Sequence, residues 1–295
     1  RAGHAGLKVC LFEKNNLGGV CLNEGCIPSK ALLNSAKIYE HARDGAKYGV
    51  SAENVTLDQK AVVARRGKVV RMLVSGVGAK MKGAGVTVVK EKAVIKGRVE
   101  GGFAVTAAGQ DYEAAKLLIC AGSEAVVPPI PGVKENLGDF VLTNREVLEL
   151  PEVPKNFVII GGGVIGLEMA AYYCVAGSHV TVVEMLDHIA GPTDREISKM
   201  LQKEYAKKGV DFKLSTKCLA VEKGKVVCEA DGKQFDVPAD KVLLSIGRRA
   251  STKDMGLENI GVEMNRGVIV VDEQGRTNVE GVFAAGDCIG KVMLA

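Results

Sequence analysis

Apolar positions along the chain recur with two different periods, and each marks out its own elements. Across residues 57–82, Val62, Val63, Val69, Val70, Leu73 and Val77 return at helical spacing, so this stretch predicts one long helix with a core-facing stripe. Residues 29 to about 43 follow Pro28 and predict another helix, because a proline lacks the backbone N–H that the first turn does not use. Short β-branched runs at 86–89, 103–106 and 117–120 predict strands, with Gly101-Gly102 as a hairpin turn. A strand over 157–160 runs into a glycine-rich turn and a helix over 164–176, and 226–237 reads as a hairpin turning at Asp231-Gly232. Strands alternating with helices predict an α/β fold with a mostly parallel sheet.

One pattern occurs twice. Residues 6–13 (GLKVCLFE) and 177–184 (GSHVTVVE) both read as a glycine, a short turn, an apolar strand and a closing Glu, the second strand of a dinucleotide-binding unit. In the second copy the glycines Gly161, Gly163 and Gly166 lie upstream, whereas the first copy has none. The offset of 23 residues from Gly161 to Glu184 places the corresponding first glycine about ten residues before Arg1. The chain therefore reads as an internal fragment, with a strand and its phosphate loop upstream and an abrupt apolar end downstream. The Pro-rich stretch 127–131 and a helix-like 144–150 lead to Pro151 and Pro154, which set a boundary. The expected domains are 1–150, 151–270 and a return segment of the first domain at 271–295.

Composition narrows the classes. At 295 residues and 47% hydrophobic content, two domains with real cores are expected. Thirty-six glycines against seven Phe, six Tyr and no Trp suit α/β units with tight turns rather than a stacking surface for nucleic acid. A net charge of +4, with bases interspersed among acids, describes a solvated face, not a nucleic-acid or membrane patch. No apolar run reaches the roughly twenty residues of a membrane-crossing helix, and the N-terminus lacks a signal-peptide pattern. Cys10, Cys120, Cys174, Cys218, Cys228 and Cys288 are dispersed through predicted elements, as reduced core cysteines are, so an intracellular compartment is expected. No metal site is expected.

The candidate chemistry begins with Cys21 and Cys26 in Gly18-Gly19-Val20-Cys21-Leu22-Asn23-Glu24-Gly25-Cys26-Ile27-Pro28-Ser29-Lys30. The spacing reads as a redox-active disulfide, with Gly25 permitting the distortion that lets the two thiols meet. Pro28 puts Cys26 at a helix N-terminus, where orphan N–H groups and the helix dipole favour an anion, and a thiolate is the sulfur form that attacks disulfides. Lys30, one turn on, adds a cation. Gly161-Gly162-Gly163-Val164-Ile165-Gly166 is a weak signal alone and a strong one between a strand and a helix with Glu184 at the right distance. The glycines admit a pyrophosphate to the helix N-terminus, and Glu184 accepts from an adenosine ribose. An acid there disfavours a 2′-phosphate. Leu186 and Asp187 follow with no Arg cluster, so NAD is expected over NADP.

The stretch CLNEGCIPSK resembles the active site of the flavin-dependent pyridine nucleotide disulfide oxidoreductases, and its wording is closest to the branch that acts on dihydrolipoyl groups. The resemblance spans essentially the whole chain. It implies two Rossmann-like dinucleotide-binding domains, one for FAD and one for NAD, with a C-terminal interface domain absent from this chain. It assigns Glu13 to the adenosine ribose of FAD, Ala93, in a short strand after Glu91, to a backbone contact near the adenine, and Asp287 of Val282-Phe283-Ala284-Ala285-Gly286-Asp287 to the ribityl or phosphate region. Ala121-Gly122-Ser123 takes the place of the family's Ala-Thr-Gly-Ser segment, with Ala121 where Thr is usual, a change that backbone contact to FAD survives. Met293, Leu294 and Ala295 match a segment beside the isoalloxazine. Ser245-Ile246-Gly247-Arg248-Arg249 fits the family's Gly-Arg segment, although Ala250-Ser251 replaces the usual Pro-Asn. Gly247 would approach the nicotinamide half of NAD and Cys218 the adenine half, while Glu168 corresponds to an acid that approaches Lys30 near the flavin.

By the same resemblance, a dihydrolipoyl group reduces the disulfide, Cys21 exchanging with substrate and Cys26 facing the flavin, and a hydride passes to NAD. The implied partners are lipoyl domains of 2-oxo acid dehydrogenase or glycine cleavage complexes, in a homodimer, with the cytoplasm or the mitochondrial matrix as its compartment. The family's acid/base His, paired with Glu, comes from the interface domain of the second subunit, and His4, His41, His179 and His188 lack that context. The isolated fragment is therefore expected to be inactive. Two other readings compete. A glutathione- or mercury-type reductase needs NADP preference or further substrate-binding cysteines, and Glu184 argues against the former. A binding-only module predicts loss of flavin on purification.

Overall fold

Strands covered on both faces carry near-continuous apolar runs, and Asn156–Ile160, His179–Val183 and Lys241–Leu244 are of this kind. In the computed structural model, which describes residues 1–293, they form the centre of a five-stranded sheet. Its order is Val210–Lys213, His179–Val183, Asn156–Ile160, Lys241–Leu244 and Val141–Leu142, and every neighbouring pair is parallel. Alternate residues serve two cores. Phe157, Ile159, Val180, Val182 and Leu243 pack with Leu32, Met169, Tyr172 and Tyr173, while Val158, Ile160, Val183, Val242 and Leu244 pack with Val221, Val226 and Val237. The last three come from an antiparallel sheet of Lys217–Glu222, Lys225–Ala230 and Lys233–Pro238. Its second turn is Asp231-Gly232, at φ 51° and 71°, as the hairpin reading expects.

The α-helices are α1 (Gly19–Glu24), α2 (Cys26–Arg43), α3 (Gln59–Gly83), α4 (Val164–Ala176) and α5 (Arg195–Lys207). Helices α2, α3 and α4 appear where the apolar and proline patterns predict them, but of the expected core-facing stripe on α3 only Val70 is buried, and Leu73 is exposed. Helix α5 has no such stripe in the reading above, and Asp194 starts it by accepting hydrogen bonds from the N–H groups of Glu196 and Ile197 at 2.8 and 3.3 Å. The expected helix over 144–150 is only a 3₁₀ turn, Glu146–Glu149. Thr143 donates its N–H and hydroxyl to Glu146 at 2.7 and 2.6 Å, which caps a turn, but Leu150 precedes Pro151 and is extended at ψ 119°.

The chain divides into two compact units, one of Arg1–Asn23, Val70–Glu124 and the residues from Arg248 onward, the other of Glu24–Val69 and Ala125–Gly247. The five-stranded sheet belongs to the second. The first holds two parallel pairs, Cys10–Phe12 with Thr87–Val89 and Leu117–Ile119 with Val282–Ala284, and an antiparallel meander of Val94–Val99, Gly102–Ala107 and Gln110–Ala114. Its core gathers Ile95, Phe103, Val105, Ile119, Leu257, Val282 and Cys288. Ala93 lies one residue ahead of its strand, because cross-strand pairing starts at Val94 opposite Thr106. Cys10 and Cys120 are exposed, not core residues, since two-stranded sheets leave faces open, and Leu118 beside Cys120 is 67% exposed for the same reason.

Tyr172 and Tyr173 of α4 are fully buried, and burial pushes the Tyr172 phenol up to about 12. Their hydroxyls donate to Gln59 Oε1 at 2.5 Å and to the Val147 carbonyl at 2.6 Å. Tyr173→Phe leaves that carbonyl without its donor, so a loss of about 1–2 kcal/mol is expected in urea unfolding. An unchanged midpoint would show that the carbonyl finds another partner.

Candidate functional site

In the second unit the chain leaves Asn156–Ile160 for His179–Val183 on one side, while Lys241–Leu244 lies on the other. A crevice beyond the carboxyl ends of the strands opens at such a switch point. Gly161 ends the first strand at φ 104°, and a Cβ there would sit 2.3 Å from the Ser245 carbonyl oxygen, beyond the neighbouring strand. A Cβ on Gly166 would lie 2.4 Å from the Gly161 carbonyl oxygen. Only glycines allow so tight a turn into α4, whose N-cap is Gly163. Glu184, just past the second strand, accepts the Gly162 N–H on Oε2 at 2.6 Å and the Leu186 N–H on Oε1 at 2.8 Å. The acid is thereby tied to the glycine loop. Val164, Met185, Leu186 and Ile246, at the same ends of these elements, are exposed apolar side chains. Asp187 binds the Arg195 guanidinium at 2.9 Å and His188 at 2.8 Å, and these partners, Arg195 foremost, hold its carboxyl down to about 2. Arg195, nearest along the chain to Glu184 among the Lys and Arg residues, is engaged by that carboxylate.

Cys26 is the first residue of α2 and Cys21 lies on α1. Gly25 separates the two helices at φ −141° and ψ −118°, and Pro28 sits buried in the first turn of α2. The Lys30 ammonium meets Glu168 of α4 at 2.7 Å. Two residues with no assigned part hold the segment before Cys26. Asn144 donates to the Glu24 carbonyl at 2.8 Å, and Arg145 forms an ion pair with the Glu24 carboxylate. Some 120 positions separate these partners in sequence, and no local signal announces them.

In the first unit, Glu13 follows the strand Cys10–Phe12 and accepts the Asn15 N–H at 2.8 Å. Beyond the ends of Leu117–Ile119 and Val282–Ala284, Ser123 and Asp287 are 4% and 3% exposed, and the Ser123 hydroxyl meets Asp287 Oδ2 at 2.5 Å. Arg248 donates to Ser123 Oγ and to its carbonyl at 2.8 and 2.7 Å. Ala121 and Gly122, the latter at φ 71°, precede Ser123. Ala93 and Met293 are in irregular segments of this unit, and Leu294 and Ala295 lie outside the described residues.

The structure thus joins Lys30 with Glu168, the loop of Gly161, Gly163 and Gly166 with Glu184, and Ser123 with Asp287. It sets Cys218 apart. That side chain is buried opposite Cys228 in the antiparallel sheet, and burial pushes its thiol up to about 12. Gly247, at φ 121°, accepts the Val126 N–H at 3.0 Å. His4, His41 and His179 are exposed, while His188 binds Asp187 and the Gly191 carbonyl. Among the described residues there is no cluster fit to hold a metal and no helix long and apolar enough to cross a membrane.

A glycine turn at the switch point of a parallel sheet leads into α4, and α4 is tied through Glu168 to α2, which begins at Cys26. The chain belongs to the pyridine nucleotide-disulphide oxidoreductase family, whose profile matches residues 1–295. It is 40% identical over 297 residues to the dihydrolipoyl dehydrogenase of Acholeplasma laidlawii, covering all of this chain and 87% of that protein. With the dihydrolipoyl dehydrogenase of Geobacillus stearothermophilus it shares 38% identity over 304 residues and spans 63% of that protein's length. The HOCl-induced flavoprotein disulfide reductase RclA from Escherichia coli superposes with a TM-score of 0.85 at 27% identity, over 99% of this chain and 63% of that one.

Gly166→Ala drives a methyl against the Gly161 carbonyl. A loss of about 1–3 kcal/mol in chemical denaturation is expected from that overpacking, whereas an undiminished stability would mean that α4 shifts to make room.

Proposed function

We propose that the protein is a dihydrolipoyl dehydrogenase that reoxidises dihydrolipoyl groups through Cys21 and Cys26 with FAD and NAD. The observation that carries this reading is Cys26 at the head of α2 one turn from Lys30, whose ammonium is fixed by Glu168. Full-length similarity of the chain to dihydrolipoyl dehydrogenases supports the choice of substrate.

The residues suit the two nucleotides. Gly161 and Gly166 permit the close turn into α4, and the N-terminus of α4 suits a pyrophosphate. Glu184 is an acceptor-only group already oriented by two N–H donors, complementary to ribose hydroxyls and opposed to a 2′-phosphate, which supports NAD over NADP. Gly247 and the main chain of Cys218 are assigned to the two halves of NAD. In the other unit the buried Asp287 carboxylate offers an acceptor for flavin hydroxyls, with Glu13, Ala93, Ala121, Gly122 and Ser123 as further contacts and Met293, Leu294 and Ala295 as the flavin-side segment. When bound, the flavin carries two electrons from the thiol pair to the nicotinamide.

The chain's own residues do the rest. A substrate thiolate attacks the Cys21 sulfur, breaks the Cys21–Cys26 bond and leaves Cys26 as thiolate. The second substrate thiolate then displaces Cys21, closing the cyclic disulfide of the product, so the substrate is oxidised by two electrons and the cysteine pair is reduced by two. The α2 dipole and Lys30 stabilise the anion that forms. Lipoyl domains of 2-oxo acid dehydrogenase or glycine cleavage complexes are the proposed donors, and a homodimer the proposed assembly.

In the full-length protein, dihydrolipoamide is expected to expose two further alkylatable thiols, Cys21 and Cys26, and to support NADH formation that falls at least a thousandfold in Cys26→Ser. A Cys26→Ser variant with undiminished turnover, or wild-type protein whose thiol count the dithiol leaves unchanged, overturns the reading.

A further inference from the structure

Ser123 has one hydroxyl hydrogen, and a guanidinium can only donate. Because Arg248 Nε donates to Ser123 Oγ at 2.8 Å, that hydrogen is directed to Asp287 Oδ2, 2.5 Å away. The chain of bonds therefore runs one way, from cation to hydroxyl to carboxylate, and each bond polarises the next. The arginine fork spans two atoms of one residue, since Nη2 also donates to the Ser123 carbonyl at 2.7 Å. Neighbouring contacts fix its register, with the Ser251 N–H on the Gly122 carbonyl at 3.0 Å and Arg249 paired with Glu124 at 2.8 Å. A carboxylate as buried as Asp287 is costly without such support.

We propose that Arg248 is a positioning residue of the flavin site: acting through Ser123, it holds Asp287 as a fixed acceptor for the ribityl hydroxyls. The proposal rests on the reading that FAD binds at Asp287. It gives a part to the first Arg of the Gly-Arg segment. Arg248 need not touch the flavin to act.

The test is a double-mutant cycle on flavin-stripped protein, with the FAD dissociation constant read from quenching of flavin fluorescence and folding checked by thermal denaturation. Ser123→Ala and Arg248→Met are each expected to weaken FAD about tenfold, and the double variant to be no more than about twofold worse than either. Asp287→Asn is expected to abolish the effect of Arg248→Met. Arg248→Lys keeps a cation without the fork and is expected to fall with Arg248→Met, and it carries the cycle where the Met variant does not fold. Additive losses of about a hundredfold in the double variant, or full recovery by Lys, overturn the positioning role. Wild-type FAD affinity in Asp287→Asn overturns instead the assignment of flavin to Asp287.

Discussion

The site in the second unit depends on two parallel strands, Asn156–Ile160 and Lys241–Leu244, that hydrogen-bond side by side while the chain leaves the first of them for the far side. No connecting segment can cover the gap beyond their carboxyl ends, so a crevice is a consequence of the strand order. Ser245 and Gly161 approach so closely that no side chain fits between them, and α4 starts directly after this turn. These strands are buried on both faces, with alternate side chains committed to two separate cores.

On that frame the ionic contacts are directional more than stabilising. The Lys30 side chain is 61% exposed, and a pair so open to water contributes at most about 1 kcal/mol. Its value lies in joining the helix that starts at Cys26 to the helix that starts at the glycine loop, so that a cation stands one turn from the sulfur. The grip of Asn144 and Arg145 on Glu24 acts in the same sense, because it restrains the segment that leads into α2.

In the first unit a buried polar chain lies beyond the carboxyl ends of Leu117–Ile119 and Val282–Ala284. A buried network of this kind is specific because each member has one arrangement that satisfies its neighbour. Ser123, Asp287 and Arg248 come from three distant segments, and that convergence makes the position of the carboxylate a property of the whole unit.

Local chemistry made much of this readable in advance. The stripe from Val62 to Val77 announced α3, Pro28 announced the start of α2, and the glycines with Glu184 announced the loop, because helix period, a missing N–H and a forbidden Cβ act within a few residues. The helix over 144–150 failed because the conformational restriction at Pro151 outweighed a good cap, and Cys10 and Cys120 failed because exposure depends on what covers a strand, not on the strand. The amino-acid sequence by itself determined helices α2, α3 and α4, the cysteine segment and the glycine loop, all set by short-range sterics and hydrogen bonding. Only the tertiary structure decided which partners meet, Lys30 with Glu168, Asn144 with Glu24 and Arg248 with Ser123 and Asp287, because polar contacts across more than a hundred residues are fixed by how packed elements bring their ends together.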